Sequence, residues 1–353
     1  MPYLEQLTKQ TSIILLLTDG RPGHMTQSEG VARLLQHEQN LEIQWINIHH
    51  LKKWQKKLGR CLVNYLDLSK YLPHLLELPP NLDWHKVNYV VSAGADTLLA
   101  NVLLTRELRK QHIAVKNIAL SSLHGIQPRH FDVVFTIDAA KAQAPHYLYY
   151  PISPNKMTAC PLQSDKLKQA WQLEQVISIC IGADINGVEI GSASLWADYI
   201  RALKHRFSQH QLLITTSRRS TPDFEQQLQQ YLHSVLTGKD QLFLYAQQQV
   251  NLAEMITMAD IVVLSQDSGS MISEAVMAGK KTLVIQPQNS NRHRVMQKFL
   301  QHLYQQQVIE FWQDPQQDLT CLLDRICVAQ HSDALQHALA QQLDLSHGAQ
   351  QAA

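Results

Sequence analysis

Five consecutive aliphatic residues, Ile13-Ile14-Leu15-Leu16-Leu17, run straight into Thr18-Asp19-Gly20-Arg21-Pro22-Gly23-His24. A run that is apolar at every residue, not at alternate ones, fits a strand buried on both faces, as in a parallel sheet covered by helices. The pattern recurs at 43–48, 89–91, 114–120 and 133–135, and again at 176–181, 212–215, 242–245, 261–264 and 282–285. Longer amphipathic segments separate these runs, the first being a helix predicted over 27–37. Strands alternating with helices imply βαβ units, hence an α/β chain with parallel sheets.

Between about 139 and 172 the alternation pauses, and Pro145, Pro151, Pro154 and Pro161 fall within it. Such a stretch reads as a connection between domains. The expected organisation is an N-terminal domain over 1–150, a linker over 151–172 and a C-terminal domain over 173–330. Residues 331–353, rich in Gln and His, read as a C-terminal helix or tail. A length of 353 residues accommodates two such domains, each large enough for its own core.

Thirty-one Lys and Arg against 30 Asp and Glu leave a formal charge of +1, which excludes a uniformly basic nucleic-acid binder. Five scattered cysteines (Cys61, Cys160, Cys180, Cys321, Cys327) form no CxxC pair. A disulfide framework and a structural zinc site are therefore not expected, and a reducing cytoplasm fits. No apolar run approaches the 18 residues or so that a bilayer requires, so the expectation is a soluble protein or one peripheral to a membrane.

In open parallel sheets, ligands bind beyond the carboxyl ends of the strands. Three post-strand loops stand out. The first, 18–27, has Gly20, Arg21, Pro22 and Gly23 in a tight turn, with Thr26 as the expected N-cap of the next helix. Its amides suit an anion or a sugar, and Asp19 and His24 are the residues in it suited to general-base work. The second, 215–222, pairs Arg218 and Arg219 with hydroxyls and a helix expected to open at Thr221-Pro222, a pattern that suits a diphosphate. The third runs Ser265-Gln266-Asp267-Ser268-Gly269-Ser270 into a helix. Ser268, Gly269 and Ser270 can wrap a helix N-terminus around a phosphate, and Glu274, one turn on, can accept bonds from ribose hydroxyls.

From Leu51 to Leu66 the apolar residues Leu51, Trp54, Leu58, Cys61, Leu62 and Tyr65 recur at helical spacing, with Lys52, Lys53, Lys56, Lys57 and Arg60 around them. Two readings compete. One is an ordinary domain helix whose apolar stripe lies in the core. The other is a basic amphipathic helix that meets an anionic membrane surface.

The runs 18–35, 215–222 and 259–285, in this order and spacing, resemble the elongated-mitochondria (mitochondrial fission) family and its bacterial branch, over about residues 13–312. The resemblance implies a GT-B-like fold, two Rossmann-like domains with parallel sheets facing a cleft. The third run is also similar to the donor-binding helix of the bacterial peptidoglycan N-acetylglucosaminyltransferase. That likeness assigns Ser268, Gly269 and Ser270 to the phosphate-facing turn and Glu274 to the donor ribose, and His24 matches the His of that enzyme's Gly-rich loop. Departures occur at 121–130, at Thr136-Ile137-Asp138 and at 181–187, which lacks an expected Gly-Gly-Ser; no DxD-type carboxylate pair stands in a matching loop, and Asp184 with Asn186 is only weak evidence for a metal.

The function expected on these grounds is a metal-independent glycosyltransferase with a nucleotide-diphosphate sugar as co-substrate and no separate cofactor. The C-terminal domain would hold the donor through Arg218, Ser268, Gly269, Ser270 and Glu274. The N-terminal domain would present the acceptor to His24 or Asp19, beside Gly20, Arg21 and Gly23. A lipid-linked or cell-envelope acceptor would favour the membrane-surface reading of Leu51 to Leu66 and a place at the inner face of the cytoplasmic membrane. The alternatives are a nucleotide-sugar epimerase and a non-catalytic nucleotide-binding or scaffold protein on the same fold.

Overall fold

In the computed structural model, which describes residues 11–36, 39–120, 122–157, 161–185, 187–287, 290, 293–329 and 331–343, the run 13–17 is buried inside strand β1 (Ser12–Thr18). The chain divides into two compact units, residues 1–156 with 332–353, and residues 157–331. In the first unit β1 is followed by α1 (Pro22–Gln36), β2 (Leu41–Asn47), α2 (Lys53–Leu62) and β3 (Val87–Ala93). Next come α3 (Leu98–Lys110), β4 (Lys116–Leu120), β5 (Val133–Thr136) and β6 (Tyr147–Tyr149). The strands form one parallel sheet in the order β2-β1-β3-β4-β5-β6. Its core packs Leu15, Leu17 and Val90 of the sheet with Leu98, Val102 and Leu103 of α3.

The second unit comprises α4 (Pro161–Trp171), β7 (Val176–Cys180), α5 (Ala193–Arg206), β8 (Gln211–Thr215), α6 (Pro222–Leu232) and β9 (Gln241–Phe243). It continues with α7 (Leu252–Met258), β10 (Ile261–Ser265), α8 (Gly269–Met277), β11 (Lys281–Ile285), α9 (Arg294–Gln305), β12 (Glu310–Trp312) and α10 (Leu319–Asp324). This sheet is also parallel, in the order β12-β11-β10-β7-β8-β9. Read from β9, that is the strand order of a dinucleotide-binding Rossmann sheet. Its core includes Trp196, Tyr199 and Trp312, with the Tyr199 ring edge-on to Trp312 at 4.6 Å. Two doubly wound α/β units in tandem make the GT-B-like fold class expected above.

Four local expectations are corrected: the start of α1, the capping role of Thr26, the extent of the linker and the setting of α2. Helix α1 starts at Pro22, not at residue 27: proline has no N–H to lose and its fixed φ suits the first helical position. Thr26 is therefore inside the helix, with its buried Oγ1 lacking a hydrogen-bond partner among the described residues, and is not a cap. The stretch 151–172 is not all linker, because Pro161 opens α4 in the same way. Residues 331–343 carry a docked helix, α11 (His331–Gln342), with Leu335, Leu339 and Leu343 buried along one face. Its residues from 332 group with the first unit, and 344–353 lie outside the described residues, as do Ser121 and Asn186.

The fourth correction concerns α2. It buries none of its residues, and most of its apolar stripe faces solvent: Trp54 is 62% exposed, Leu58 50% and Tyr65, just beyond the helix, 75%, whereas Leu62 is half-buried and Leu51, before the helix, packs on the core. The core reading fails for Trp54, Leu58, Cys61 and Tyr65 and holds only for the ends of the stripe, at Leu51 and Leu62. Beside the close packing of Gly59 on Leu99 of α3, what attaches α2 is its polar side. Lys56 Nζ lies 2.7 Å and Arg60 Nη2 3.4 Å from the Asp96 carboxylate. At its C-terminal end Arg106 donates to the Val63 and Leu66 carbonyls (2.8 and 3.1 Å) and Arg129 to the Asn64 carbonyl (3.1 Å). Cations placed on terminal carbonyls satisfy acceptors that the helix leaves open.

This attachment gives stability a pH dependence. His130 lies 3.1 Å from Arg106, and burial, then the charges of Arg106 and Arg129, lower its pKa from 6.5 to about 4. The unfolded chain then takes up a proton that the fold refuses, so this contribution is complete above about pH 6.5 and lost as the pH falls toward about 4. Urea midpoints should decline across that window, and His130→Gln should flatten the decline. Identical profiles for the two proteins would exclude His130 as its source.

Candidate functional site

Where strand order reverses in an open parallel sheet, the loops leaving the two flanking strands diverge and open a crevice at their carboxyl ends. In the first unit this point lies between β1 and β3, and in the second between β7 and β10. Each holds a cluster built on a buried carboxylate.

In the first unit Asp19 follows β1 with its carboxyl group fully buried. Its oxygens lie 3.0 and 3.1 Å from Nδ1 of His24, in the first turn of α1. Gly20 takes φ +76°, a conformation that suits glycine, and carries the chain round so that the Arg21 amide also donates to Asp19 (3.2 Å). The imidazole packs against Gly94 in the loop after β3, so closely that a Cβ there would lie 2.3 Å from Nδ1 and Cε1. With Nδ1 committed to Asp19, Nε2 is the nitrogen left to accept a proton. Arg21 lies between two carboxylates, 3.6 Å from Asp19 and 3.9 Å from Asp96. Gly23 has open space where a side chain would stand. The structure thus brings Asp19, Gly20, Arg21 and His24 together and adds Gly94 and Asp96, which come from a separate loop.

In the second unit the buried carboxylate is Asp267. It accepts from Ser265 Oγ (2.5 Å), the Ala183 amide (3.3 Å) and Arg219 Nη2 (3.1 Å). The Gly182 amide donates to Ser265 Oγ (2.7 Å), and Ser220 Oγ donates to the Gly182 carbonyl (3.2 Å). The loops after β7, β8 and β10 are therefore tied to one another around Asp267. A Cβ at Gly182 would lie 2.0 Å from its Oδ1, so glycine is required for the approach. Ser268 is the N-cap of α8, so the amides at the start of this helix point beyond the strand ends, where an anion is favoured.

Ser268, Gly269, Ser270 and Glu274 all lie on this loop and helix. Burial and then the Glu274 carboxylate push the Cys180 thiol at the end of β7 up to about 12. Both arginines of the pair are exposed, and it is Arg219 that reaches the cluster, through the Asp267 carboxylate. Thr221 caps α6 as expected, accepting from the Phe224 amide at 3.2 Å. Asp184 accepts from the Ile190 amide at 2.7 Å. Among the described residues no group of three or more His, Cys, Asp or Glu is placed to hold a metal ion, and no helix is long and apolar enough to cross a membrane.

Several solved structures share this architecture at low identity. The S. aureus MnaA–UDP co-structure is 11% identical, with a TM-score of 0.48 over 95% of this chain and 97% of that one. The UDP-GlcNAc 2-epimerase from Neisseria meningitidis bound to UDP-GlcNAc is 11% identical, with a TM-score of 0.41 over 94% and 100%. The E. coli ADP-heptose lps heptosyltransferase II is 12% identical, with a TM-score of 0.41 over 95% and 99%. No curated protein matches the sequence. The family model described as mitochondrial fission ELM1 matches residues 22–332, most of the chain, and the protein belongs to that family.

Proposed function

We propose that this protein is a glycosyltransferase that moves a sugar from a nucleotide-diphosphate donor to an acceptor hydroxyl. The observation that carries the reading is the cluster at the β7/β10 switch point, where a hydroxyl-rich helix N-terminus and a carboxylate-held arginine share one strand end. In this reading Arg219, Ser268, Gly269 and Ser270 hold the diphosphate, Glu274 holds the ribose, and Arg218 adds charge from the exposed side. The first unit supplies the base: the acceptor oxygen attacks the anomeric carbon while His24 Nε2 takes its proton. Asp19 fixes the imidazole and stabilises its charged form. The bond from the anomeric carbon to the diphosphate breaks, and the leaving charge falls on Arg219 and the α8 amides.

Incubation with a panel of nucleotide sugars, with and without acceptor extracts, tests this. Acceptor-dependent release of nucleoside diphosphate is expected. Isomerised sugar formed without an acceptor would point to an epimerase, and no turnover of any donor would favour a binding protein.

The same proposal places the protein peripherally on an anionic membrane face, the inner face of the cytoplasmic membrane, through the exposed side of α2. Trp54, Leu58, Cys61 and Tyr65 recur on one face, flanked by the exposed Lys52, Lys53 and Lys57. At roughly 1 kcal/mol per lysine near anionic lipid, the three add on the order of a hundredfold to affinity. Wild-type protein should sediment with phosphatidylglycerol-containing vesicles and not with pure phosphatidylcholine. Trp54→Glu should lose this while remaining folded, because that side chain contributes nothing to the core. Equal sedimentation of the variant would exclude α2 as the docking element.

A further inference from the structure

The turn that leaves α2 borders an open groove of about 560 Å³. Tyr65 and Leu66, the latter also exposed, form its apolar wall and continue the apolar face of the helix. Arg106, Arg109 and Lys110, from the C-terminal part of α3, form the other side, with Asp67 between. The carboxylates nearby are divided unequally among these cations. Lys110 pairs closely with Asp67 and stands 3.6 Å from Glu107, and Arg109 lies 2.6 Å from Asp132. Arg106 is different. Its guanidinium is fixed by the Val63 and Leu66 carbonyls and His130, and no carboxylate lies within ion-pair distance of it among the described residues. Asp67, committed to Lys110, acts on Arg106 only from beyond ion-pair distance, and Arg129, held by the Asn64 carbonyl, adds a second positive charge close by.

A rigid cation against an apolar wall, continuous with a surface suited to a membrane, has the chemistry of a phospholipid headgroup site: phosphate on the guanidinium, glycerol and first methylenes on the aromatic and aliphatic side. We propose that this groove binds the headgroup of a single anionic phospholipid, with its phosphate on Arg106 and its glycerol against Tyr65 and Leu66. The proposal extends the membrane reading of α2, but its test does not depend on vesicle binding.

The full-length protein is titrated by calorimetry with dihexanoyl-phosphatidylglycerol below its micellar concentration. One lipid per chain should bind saturably, with dihexanoyl-phosphatidylcholine about tenfold weaker and inorganic phosphate unable to displace the lipid. Losing one charge-assisted contact lowers affinity by about tenfold or more, so Arg106→Gln should weaken binding to that degree. Because Arg106 also anchors α2, Lys110→Glu serves as a second variant: it reverses an exposed charge at the groove and should weaken binding comparably. Trp54→Glu should bind the soluble lipid as wild type does. Absence of saturable binding, equal affinity for both lipids, displacement by phosphate, or wild-type affinity in both groove variants would each overturn the proposal. Failure of the wild-type protein to sediment with anionic vesicles, with saturable short-chain lipid binding retained, would count against the docking role of α2 alone.

Discussion

Replacing Gly94 by alanine is expected to lower turnover by about 10²- to 10⁴-fold while leaving nucleotide affinity unchanged, the range associated with loss of a positioned general base. Two physical effects converge on this position. Gly94 has φ +86°, and an L-residue held there costs roughly 1–2 kcal/mol. More decisively, the new Cβ would lie 2.3 Å from two ring atoms of His24, and the backbone that carries it is anchored in the loop after β3. The imidazole has to move, and its 3.0–3.1 Å contacts with Asp19 are lost. His24→Ala should reproduce the defect without backbone strain, since the ring is partly exposed and removing it leaves little void. The measurement is donor turnover alongside calorimetric nucleotide binding for both variants. Wild-type turnover in His24→Ala would remove the general-base role, and wild-type turnover in Gly94→Ala alone would show that the ring tolerates displacement.

Asp267→Ala should do different damage. The carboxylate is fully buried and serves Ser265 Oγ, the Ala183 amide and Arg219. Breaking a buried charge pair costs about 3–5 kcal/mol when both partners are buried. Arg219 is 41% exposed and keeps part of its hydration, so a loss of about 1–3 kcal/mol is the better expectation. Nucleoside diphosphate affinity should fall about tenfold or more, because Arg219 is no longer held at the strand ends. Arg219→Ala should match the affinity loss with little change in stability, which separates the ligand contact from the scaffold. Gly182→Ala should resemble Asp267→Ala, since its Cβ would occupy the carboxylate's position. Melting temperature and calorimetric affinity measured on all three variants distinguish these outcomes. Retention of wild-type affinity in Arg219→Ala would place the diphosphate elsewhere.

The central strands of both sheets were legible because they are buried on both faces and apolar throughout, as at 13–17 and 261–264. The strands β6 and β12 were not: each is three residues long, lies at a sheet edge and has no periodicity to read. The start of α1 was displaced because Pro22-Gly23 resembles a turn, although proline suits the first helical position equally well. Helical spacing revealed the apolar stripe of α2 but not its direction, which depends on Asp96, Arg106 and Arg129, all distant in sequence. The same limit applies at the two clusters. Asp19 and His24 share a loop and could be paired by inspection, whereas Gly94 joins them only through the β1/β3 adjacency. Of two adjacent arginines, only the position of Asp267 selects Arg219, and the role of Asp267 depends on the approach of Gly182 from another strand.

The donor site proposed at the β7/β10 switch point should bind a nucleoside diphosphate. Its most direct test is calorimetric titration of the common nucleoside diphosphates into the full-length protein and its Arg219→Ala, Glu274→Ala and His24→Ala variants. Saturable binding of at least one nucleotide is expected, weakened about tenfold or more by the first two substitutions and unchanged by the third. Failure of every nucleotide to bind, or binding indifferent to both Arg219 and Glu274, would contradict it.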